Sequence, residues 1–461
     1  MRPTIAFITD AALAAAQPRI RYVLDALERH PLAPPGLQCL LSAEAPPEAA
    51  VVCYYGNENR PAGQAVFIPA QRHFFCSQPT TRISAALNSF DFQGKEVHAV
   101  QPDSSAVTNA FFATESGKGR FGFDWLETLF FHLSRWEEYA PAPEELDDIG
   151  IMKSSAQLLP RHGLHHVPVA DRLIEAVFRA LQLTENKIVT TFSISHDVDD
   201  LQVFGAGFRL PRYLAGVALR HRTPRNWPRI VSDYLQVRSG RMRDPGDTFD
   251  WLLHAGKAAE KTVYFGTGNH SRFDHFPALD APRLKEVREL AFKQGYKAGL
   301  HPGYETWKNP ELLEQQRGTL ENWLEMPVVK SRQHYLRFAF PETADALETA
   351  GIQEDATLGF RDRIGFRAGT GFPFYLYCFR EERPYRWLEK PLIAMDCGLV
   401  RENGGDPKQV RRNWHDFITQ NGEGTAISLS LHNTYLYEQD LHGIDFRSLF
   451  GMVFTNQNHA A

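Results

Sequence analysis

The sequence predicts an α/β protein: a TIM-like (β/α)7–8 barrel over residues 186–461, preceded by a smaller α+β domain over residues 1–185. Three observations carry this expectation. From residue 188 onward, short β-branched apolar runs alternate with amphipathic helical stretches, the pattern of parallel strands joined by crossover helices. Roughly seven or eight such units suit a barrel better than an open sheet. Several apolar runs also end abruptly in aspartate or histidine, and the C-terminal ends of strands are where α/β active sites sit.

Before residue 185 the signals are short strands separated by Pro- and Gly-rich turns such as PLAPPG. Strands are expected over Thr4–Thr9, Val51–Tyr55, Gln64–Ile68 and Glu96–Val100, with an early helix over Ala14–Arg29. The stretch Asp124–Tyr139 reads as one helix, with Trp125, Leu129, Leu133 and Trp136 on one face and Asp124 as its cap. Pro141 and Pro143 would end it. The second half of LLPRHGLHHVPVADRLIEAVFRAL reads as another helix. Polar Thr184–Lys187 marks the domain boundary.

The barrel half begins with a strand at 188–195. An insertion follows over 201–245, then helix Phe249–Glu260, strand Thr262–Gly266 and helix Pro282–Lys293. Strand Lys297–Leu300, helix Pro310–Leu324, strand Val328–Tyr335 and helix Glu342–Ala350 come next. Strands near Thr357–Phe360, Gly365–Ala368 and Leu392–Asp396 precede helix Pro407–Gln420 and strand Ala426–Leu431. The insertion holds Arg209, Arg212, Arg220, Arg222, Arg225, Arg229, Arg238, Arg241 and Arg243 against Asp233, with Tyr213, Trp227 and Tyr234 interleaved. Such a segment suits an anionic ligand, or equally a solvated helical hairpin pairing with the acidic 144–148 loop.

Composition narrows the function classes. A formal net charge of −5 gives no global field favouring nucleic acid. Mean hydropathy of −0.36, with no apolar run near twenty residues, argues against a membrane span. In MRPTIAFITD, Asp10 interrupts a would-be leader, so IAFIT reads as a first strand. Cys39, Cys53, Cys76, Cys378 and Cys397 lack metal-type spacing and read as reduced thiols of a cytoplasmic protein.

The chemistry gathers at strand exits. TTFSISHDVDDL runs from an apolar strand into His196, Asp197, Asp199 and Asp200. Carboxylates there are costly unless a metal ion or a proton-transfer task compensates them, although a solvated capping turn would also fit. YKAGL exits into His301, PVVK into Arg332 and His334, GFRAGT carries Arg367, and ISLSL exits into His432. One buried histidine is ordinarily a satisfied core residue; several at successive strand ends each need a partner. Two imidazoles and a carboxylate suit a mononuclear Zn²⁺-type site. His162, His165, His166, His270 and His275 read as loop residues.

In order and spacing, HDVDD, LHPGYE, SRQHYLR, GFRAGT and LHN resemble the polysaccharide deacetylases, the NodB-homology or carbohydrate esterase family four fold, in a divergent branch with an N-terminal domain bearing a helix like FFHLSRWEEY. The resemblance implies a distorted (β/α)7 barrel and a metal-dependent deacetylase of N- or O-acetylated saccharides or glycan precursors. It implies Asp199, His301 and His334 as ligands of a divalent ion, Zn²⁺ foremost. It implies Asp197 as base, with the Asp197 and Asp199 roles open to exchange, and His432 as acid. Arg332 or Arg367 would orient Asp197 or hold substrate, His196 would support the site, and Asp200 would serve the turn. The family's second motif is a histidine pair four residues apart. Here His301 is followed by Glu305, and His334 is expected to replace the missing ligand. Glu305 also leaves open a binding protein without catalysis, and the barrel alone leaves open a metal-assisted hydrolase of a non-sugar amide.

Overall fold

Parallel strands need long crossovers, and the chain supplies them in two sheets. The computed structural model describes residues 3–44, 46, 49–57, 66–81, 83–102, 110–115, 118–183, 188–205, 208–221, 226–254 and 258–456. The strands of the first half are β1 (Thr4–Thr9), β2 (Gln38–Ser42), β3 (Val51–Gly56), β4 (Val66–Pro69), β5 (Ala85–Phe92), β6 (Lys95–Pro102), β7 (Phe112–Glu115) and β8 (Lys118–Phe121). Six of them form a sheet of order β2-β1-β3-β4-β8-β7, and β5 pairs with β6 alone. Strands β2, β1, β3 and β4 are parallel neighbours, with the helix Gln17–Arg29 as the crossover from β1 to β2. This half is therefore α/β in character where α+β was expected. Gln64 lies outside the described residues, as does the whole boundary stretch Thr184–Lys187.

The helix Trp125–Ser134 buries all ten of its residues, and Asp124 caps it by accepting from the Glu127 amide at 3.0 Å. It stops short of the expected Tyr139 because Arg135 turns left-handed (φ 55°). That turn lets the buried Arg135 reach Glu138 at 2.9 Å through a short 3₁₀ segment, Trp136–Glu138.

The second half holds β9 (Thr191–Val198), β10 (Glu260–Phe265), β11 (Lys297–Leu300), β12 (Lys330–Ser331), β13 (Glu354–Asp355), β14 (Phe374–Cys378), β15 (Arg383–Glu389), β16 (Ala394–Met395) and β17 (Ala426–Ser430). Their order is β14-β15-β13-β12-β11-β10-β9-β17-β16, parallel except for the β14–β15 hairpin. Among the described residues β14 and β16 remain the two edges, so the hydrogen bonds define a mixed α/β sheet and not a closed ring. Strand β9 lies between β10 and β17, parallel to both. It runs to Val198, beyond the expected end, because Asp197 and Val198 stay in register with Tyr264 and Phe265.

Helices Pro282–Lys293, Pro310–Leu324 and Pro407–Gln420 fall where expected, each opened by a proline whose missing N–H costs nothing there. The helix expected over Phe249–Glu260 is seen over Phe249–Leu252, and Ala255–Lys257 lie outside the described residues. Of the strand expected over Val328–Tyr335, only β12 pairs. The stretches Thr357–Phe360 and Gly365–Ala368 are not strands. The Phe366 amide donates to the His165 carbonyl (2.7 Å), so that backbone is taken by the first half of the chain.

The insertion forms helices Leu210–His221 and Trp227–Arg238, packed about Phe204, Val217, Ile230, Tyr437 and Leu441. Arg222, Arg225 and the Arg220 side chain lie outside the described residues. Arg229 pairs with Asp440 at 3.1 Å, while Asp147 of the acidic loop pairs with Arg361 at 2.7 Å, so the pairing expected between insertion and loop is not seen among the described residues. All five cysteines are free thiols. Among the described residues no helix is long and apolar enough to cross a membrane.

One apolar core runs from Ile5 to Phe450, so the two sheets share it. One polar tie across it is Glu138, which takes both Arg135 and Arg367 inside the protein. Burial would raise the Glu138 pKa, but Arg367 and then Arg135 hold it down at about 2. A depressed carboxylate stabilises fully above its unfolded pKa of about 4.3 and loses that contribution as pH falls toward 2. Replacing Glu138 with Gln takes the carboxylate from buried Arg367 and leaves Arg135 with Glu137 at 3.1 Å, and is expected to cost about 3–5 kcal/mol in denaturant unfolding at pH 7. The gap from wild type should narrow as the pH falls below 4. A loss under about 1 kcal/mol at pH 7 would contradict the pairing.

Candidate metal centre and catalytic cleft

Because β9, β11, β12 and β17 are parallel, their C-terminal ends open on one edge of the sheet. Side chains two apart on an extended strand share a face. Ser195 and Asp197 on β9 do so, and Arg332 reads both: Nη2 donates to Ser195 Oγ (2.8 Å) and Nη1 to Asp197 Oδ1 (2.8 Å). Nη1 also donates to Ser430 Oγ (3.0 Å) and Nε to the Ala356 carbonyl (3.0 Å). The guanidinium lies 4.4 Å over the Tyr264 ring. Burial alone would raise the Asp197 pKa; Arg332 first, then His301 and His432, lower it, so Asp197 is ionised. His196 points to the opposite face. Its Nδ1 lies 3.1 Å from the Leu431 carbonyl and its Nε2 3.3 Å from the Tyr296 hydroxyl, and burial pushes its pKa down to about 4. It serves the core and stays out of the cleft.

Asp199 follows Asp197 by two residues, beyond the end of β9. Its Oδ1 lies 3.1 Å from His301 Nε2 and 4.0 Å from His334 Nε2. Each imidazole is held from behind. His301 Nδ1 is 2.6 Å from the Arg332 carbonyl, which can only accept, so Nδ1 carries hydrogen. His334 Nδ1 is 2.9 Å from Asp274 Oδ1. Asp274 is buried and fixed by the Tyr304 amide (2.8 Å) and the Ser271 amide and hydroxyl (3.1 and 2.9 Å). With hydrogen on both Nδ1 atoms, both Nε2 lone pairs face Asp199. Asp199 Oδ1 is buried and receives no hydrogen bond. The three ligand atoms lie within 4.8 Å of one another.

Ion–ligand bonds of about 2.0–2.2 Å place tetrahedral neighbours roughly 3.3–3.6 Å apart, so this donor set fits a divalent ion. Without a cation a proton takes its place: against the effect of burial, Asp197 and Asp199 raise the His301 pKa. Asp199 is held well below the usual carboxylate range by His301 first, then His334 and His432, also against burial.

His432 faces this cluster from just beyond β17, as the N-cap of the helix Asn433–Leu441. Its Nε2 lies 3.8 Å from Asp197 Oδ2 and 4.0 Å from Asp199 Oδ2. Its Nδ1 is 2.7 Å from Asp396 Oδ1, while Asp396 Oδ2 accepts the His432 amide, also at 2.7 Å. Asp197, Asp199, His301, His334 and His432 line one cleft of about 250 Å³, with Tyr335 and Arg361 at its wall.

Arg367 does not join them. Its guanidinium is taken by Glu138 and by the Gly359 carbonyl (2.9 Å), inside the core. Glu305 is half-exposed and turns toward Arg337 at 3.8 Å. Asp200 meets the cleft, and its carbonyl accepts from Asn433 (2.8 Å). His162, His270 and His275 are exposed. The supports Asp274 and Asp396 escape a reading of sequence alone. Asp396 does stand at the end of an expected strand, the same signal that marks Asp197; Asp274 lies in a loop, RFDHFP, with no local mark.

Comparison with known proteins adds the following. The model of a family described as of unknown function (DUF7033) matches residues 11–186. No curated protein matches the sequence. Among solved structures, the chain is similar to one described as "putative polysaccharide deacetylase from Mycobacterium smegmatis", at 13% identity and a TM-score of 0.29, over 58% of this chain and 92% of that one. A score that low leaves the chemistry to be argued from this chain's own residues.

The His432 environment predicts a titration. Burial would lower its pKa, but Asp396 foremost, then Asp199 and Asp197, raise it to about 10. A raised imidazole stabilises the fold fully below its unfolded pKa of about 6.5 and loses that contribution as pH rises through 10. In protein stripped of divalent ions, histidine NMR should find His432 protonated at pH 8, and Asp396→Asn should move its titration down toward 6.5. A wild-type His432 titrating near 6.5 would refute this account.

Proposed function

We propose that the chain is a metal-dependent hydrolase that removes an acetyl group from an amino or hydroxyl group of a saccharide, on a barrel-like sheet of the polysaccharide deacetylase type. The observation that carries the reading is the placement of two imidazoles, each held at Nδ1, around a buried, unsatisfied Asp199 oxygen, with Asp197 and His432 opposite. The motif order HDVDD, LHPGYE, SRQHYLR and LHN supports the substrate class.

In this reading Asp199 Oδ1 and the Nε2 atoms of His301 and His334 hold the ion, Zn²⁺ foremost. The bound ion supplies Lewis acidity, which lowers the pKa of a water and polarises a carbonyl. Asp197, kept ionised by Arg332, accepts the proton of the attacking water at Oδ2, the oxygen that Arg332 leaves open. His432 is kept protonated by Asp396 and donates from Nε2 to the leaving nitrogen or oxygen. Water oxygen bonds to the acyl carbon, the C–N or C–O bond breaks, and acetate and the free amine or alcohol result. Arg332 is a positioning residue: its side chain orients Asp197 while its carbonyl orients His301. Glu305 suggests a protein without catalysis; under the metal reading His334, 4.0 Å from Asp199, would supply the ligand that Glu305 does not.

The test is acetate release from N- and O-acetylated sugars, before and after chelation and metal restoration. Asp199→Ala and His301→Ala are expected to abolish activity and the metal retention of the cleft. His432→Ala should keep the metal and lose about 10²–10⁴-fold in rate, and Asp274→Asn should weaken metal affinity about 10–100-fold. Activity that survives chelation, or that Asp199→Ala leaves unchanged, sinks the proposal.

A further inference from the structure

Outside the cleft a second group of ligand-type atoms comes together from distant parts of the chain. His165 and His166 sit between the first half and the β9 sheet, and Glu402 ends the helix Asp396–Glu402. Glu402 Oε1 lies 2.9 Å from His165 Nε2 and 2.9 Å from His166 Nε2. The three ligand atoms lie within 4.8 Å of one another. At its other oxygen, Glu402 accepts the Ile364 amide at 3.1 Å.

The cluster is built and not merely crowded. The His165 backbone is clamped by the Phe366 amide at 2.7 Å, and Gly365 (φ 132°) makes room for it. A side chain at residue 365 would place its Cβ 2.1 Å from the His165 carbonyl oxygen. Ordinary hydrogen bonding does not account for all of it. His166 Nε2 is a buried atom with no aligned hydrogen bond, although Glu402 Oε1 is only 2.9 Å away. A nitrogen and a carboxylate oxygen that close, with the N–H direction off the line between them, are geometrically suited to face a shared third atom. The 2.9 Å separations fall below the roughly 3.3–3.6 Å between ligands of a tetrahedral ion, so the three side chains part by a few tenths of an ångström to admit one. The neighbouring guanidinium of Arg363 is turned toward Asp362 at 3.3 Å.

We propose that His165, His166 and Glu402 form a second metal site, which takes a divalent transition ion such as Zn²⁺. Two imidazoles and one carboxylate select such ions over Ca²⁺ or Mg²⁺, which prefer all-oxygen shells. The ligands are partly buried, with side-chain exposures of 12, 24 and 14%, which leaves a side for water to complete the coordination. The ion's work here is structural. It ties the segment bearing His165 and His166 to the helix whose first residue, Asp396, holds His432.

The test is metal content by mass spectrometry after Zn²⁺ loading and desalting, with thermal unfolding in parallel. Wild type is expected to retain two equivalents. His166→Ala, Glu402→Gln and Asp199→Ala should each retain one, and Asp199→Ala combined with His166→Ala none. Zn²⁺ should raise the unfolding temperature of Asp199→Ala, and His165→Gln added to that variant should remove the rise. A His166→Ala protein with wild-type metal content, or an Asp199→Ala protein with none, overturns the second site. The cleft reading fails separately, if Asp199→Ala leaves metal content unchanged. Partly exposed His166 tolerates truncation, and circular dichroism of each variant establishes that it is folded.

Discussion

Arg332 is the interaction on which the cleft depends. Its side chain crosses from β12 to β9 and β17, bonding Ser195, Asp197 and Ser430, and its Nε takes the Ala356 carbonyl just past β13. Its own carbonyl fixes the His301 ring. One residue thus orients a carboxylate with its side chain and an imidazole with its main chain. A buried guanidinium is expensive unless every donor is spoken for and a charge lies opposite it. Here two hydroxyls, the Ala356 carbonyl and Asp197 take four of its five N–H donors, and Asp197 also supplies the charge. The small residues Ser195 and Ser430 leave room for the fork, and their hydroxyls satisfy donors that alanine would strand.

Parallel pairing does the rest of the gathering. Residues from 197 to 432 reach one cleft because β9 lies between β10 and β17, with all their C-terminal ends on the same edge. Strand alternation then sorts adjacent residues by role. His196 turns into the core toward Tyr296 while Asp197 turns toward Arg332, although the two are neighbours in sequence. A shift of β9 by one residue would exchange them, and the long register with β10 from Glu260 to Phe265 opposes such a slip.

What the sequence made legible follows from the same physics. Proline-opened helices and the longer apolar strands are local signals, so Pro282–Lys293, Lys297–Leu300 and Pro310–Leu324 could be read directly. Two-residue strands such as β12 and β13 carry too little pattern, and the backbone of Gly365–Ala368 is claimed by His165, a partner two hundred residues away. Asp197, Asp199, His301 and His432 were marked by their place after apolar runs. Arg367 carried a similar mark, but Glu138, beyond the left-handed turn at Arg135, takes it into the core. Asp274, Asp396 and Glu402 matter through what they touch, and contact between distant residues leaves no trace in a single chain's spacing.

The two aspartates at the end of β9 show how identical side chains acquire different chemistry. Asp197 is answered by a buried arginine, so its charge is compensated within the protein, and Arg332 leaves its second oxygen open. Asp199 faces two ring nitrogens whose hydrogens are already pledged to the Arg332 carbonyl and to Asp274, and its buried oxygen gains no hydrogen bond from either. A carboxylate oxygen and two lone pairs turned on one another repel, and folding would relax that arrangement if nothing rewarded it. A proton on His301 relieves it in part, as the raised pKa records. A divalent ion would relieve it more fully, because it would answer all three donors at once and release that proton on binding. On the proposed reading, proton and ion would compete for one place and metal affinity would fall with falling pH, while Asp197, paired with Arg332, keeps its charge.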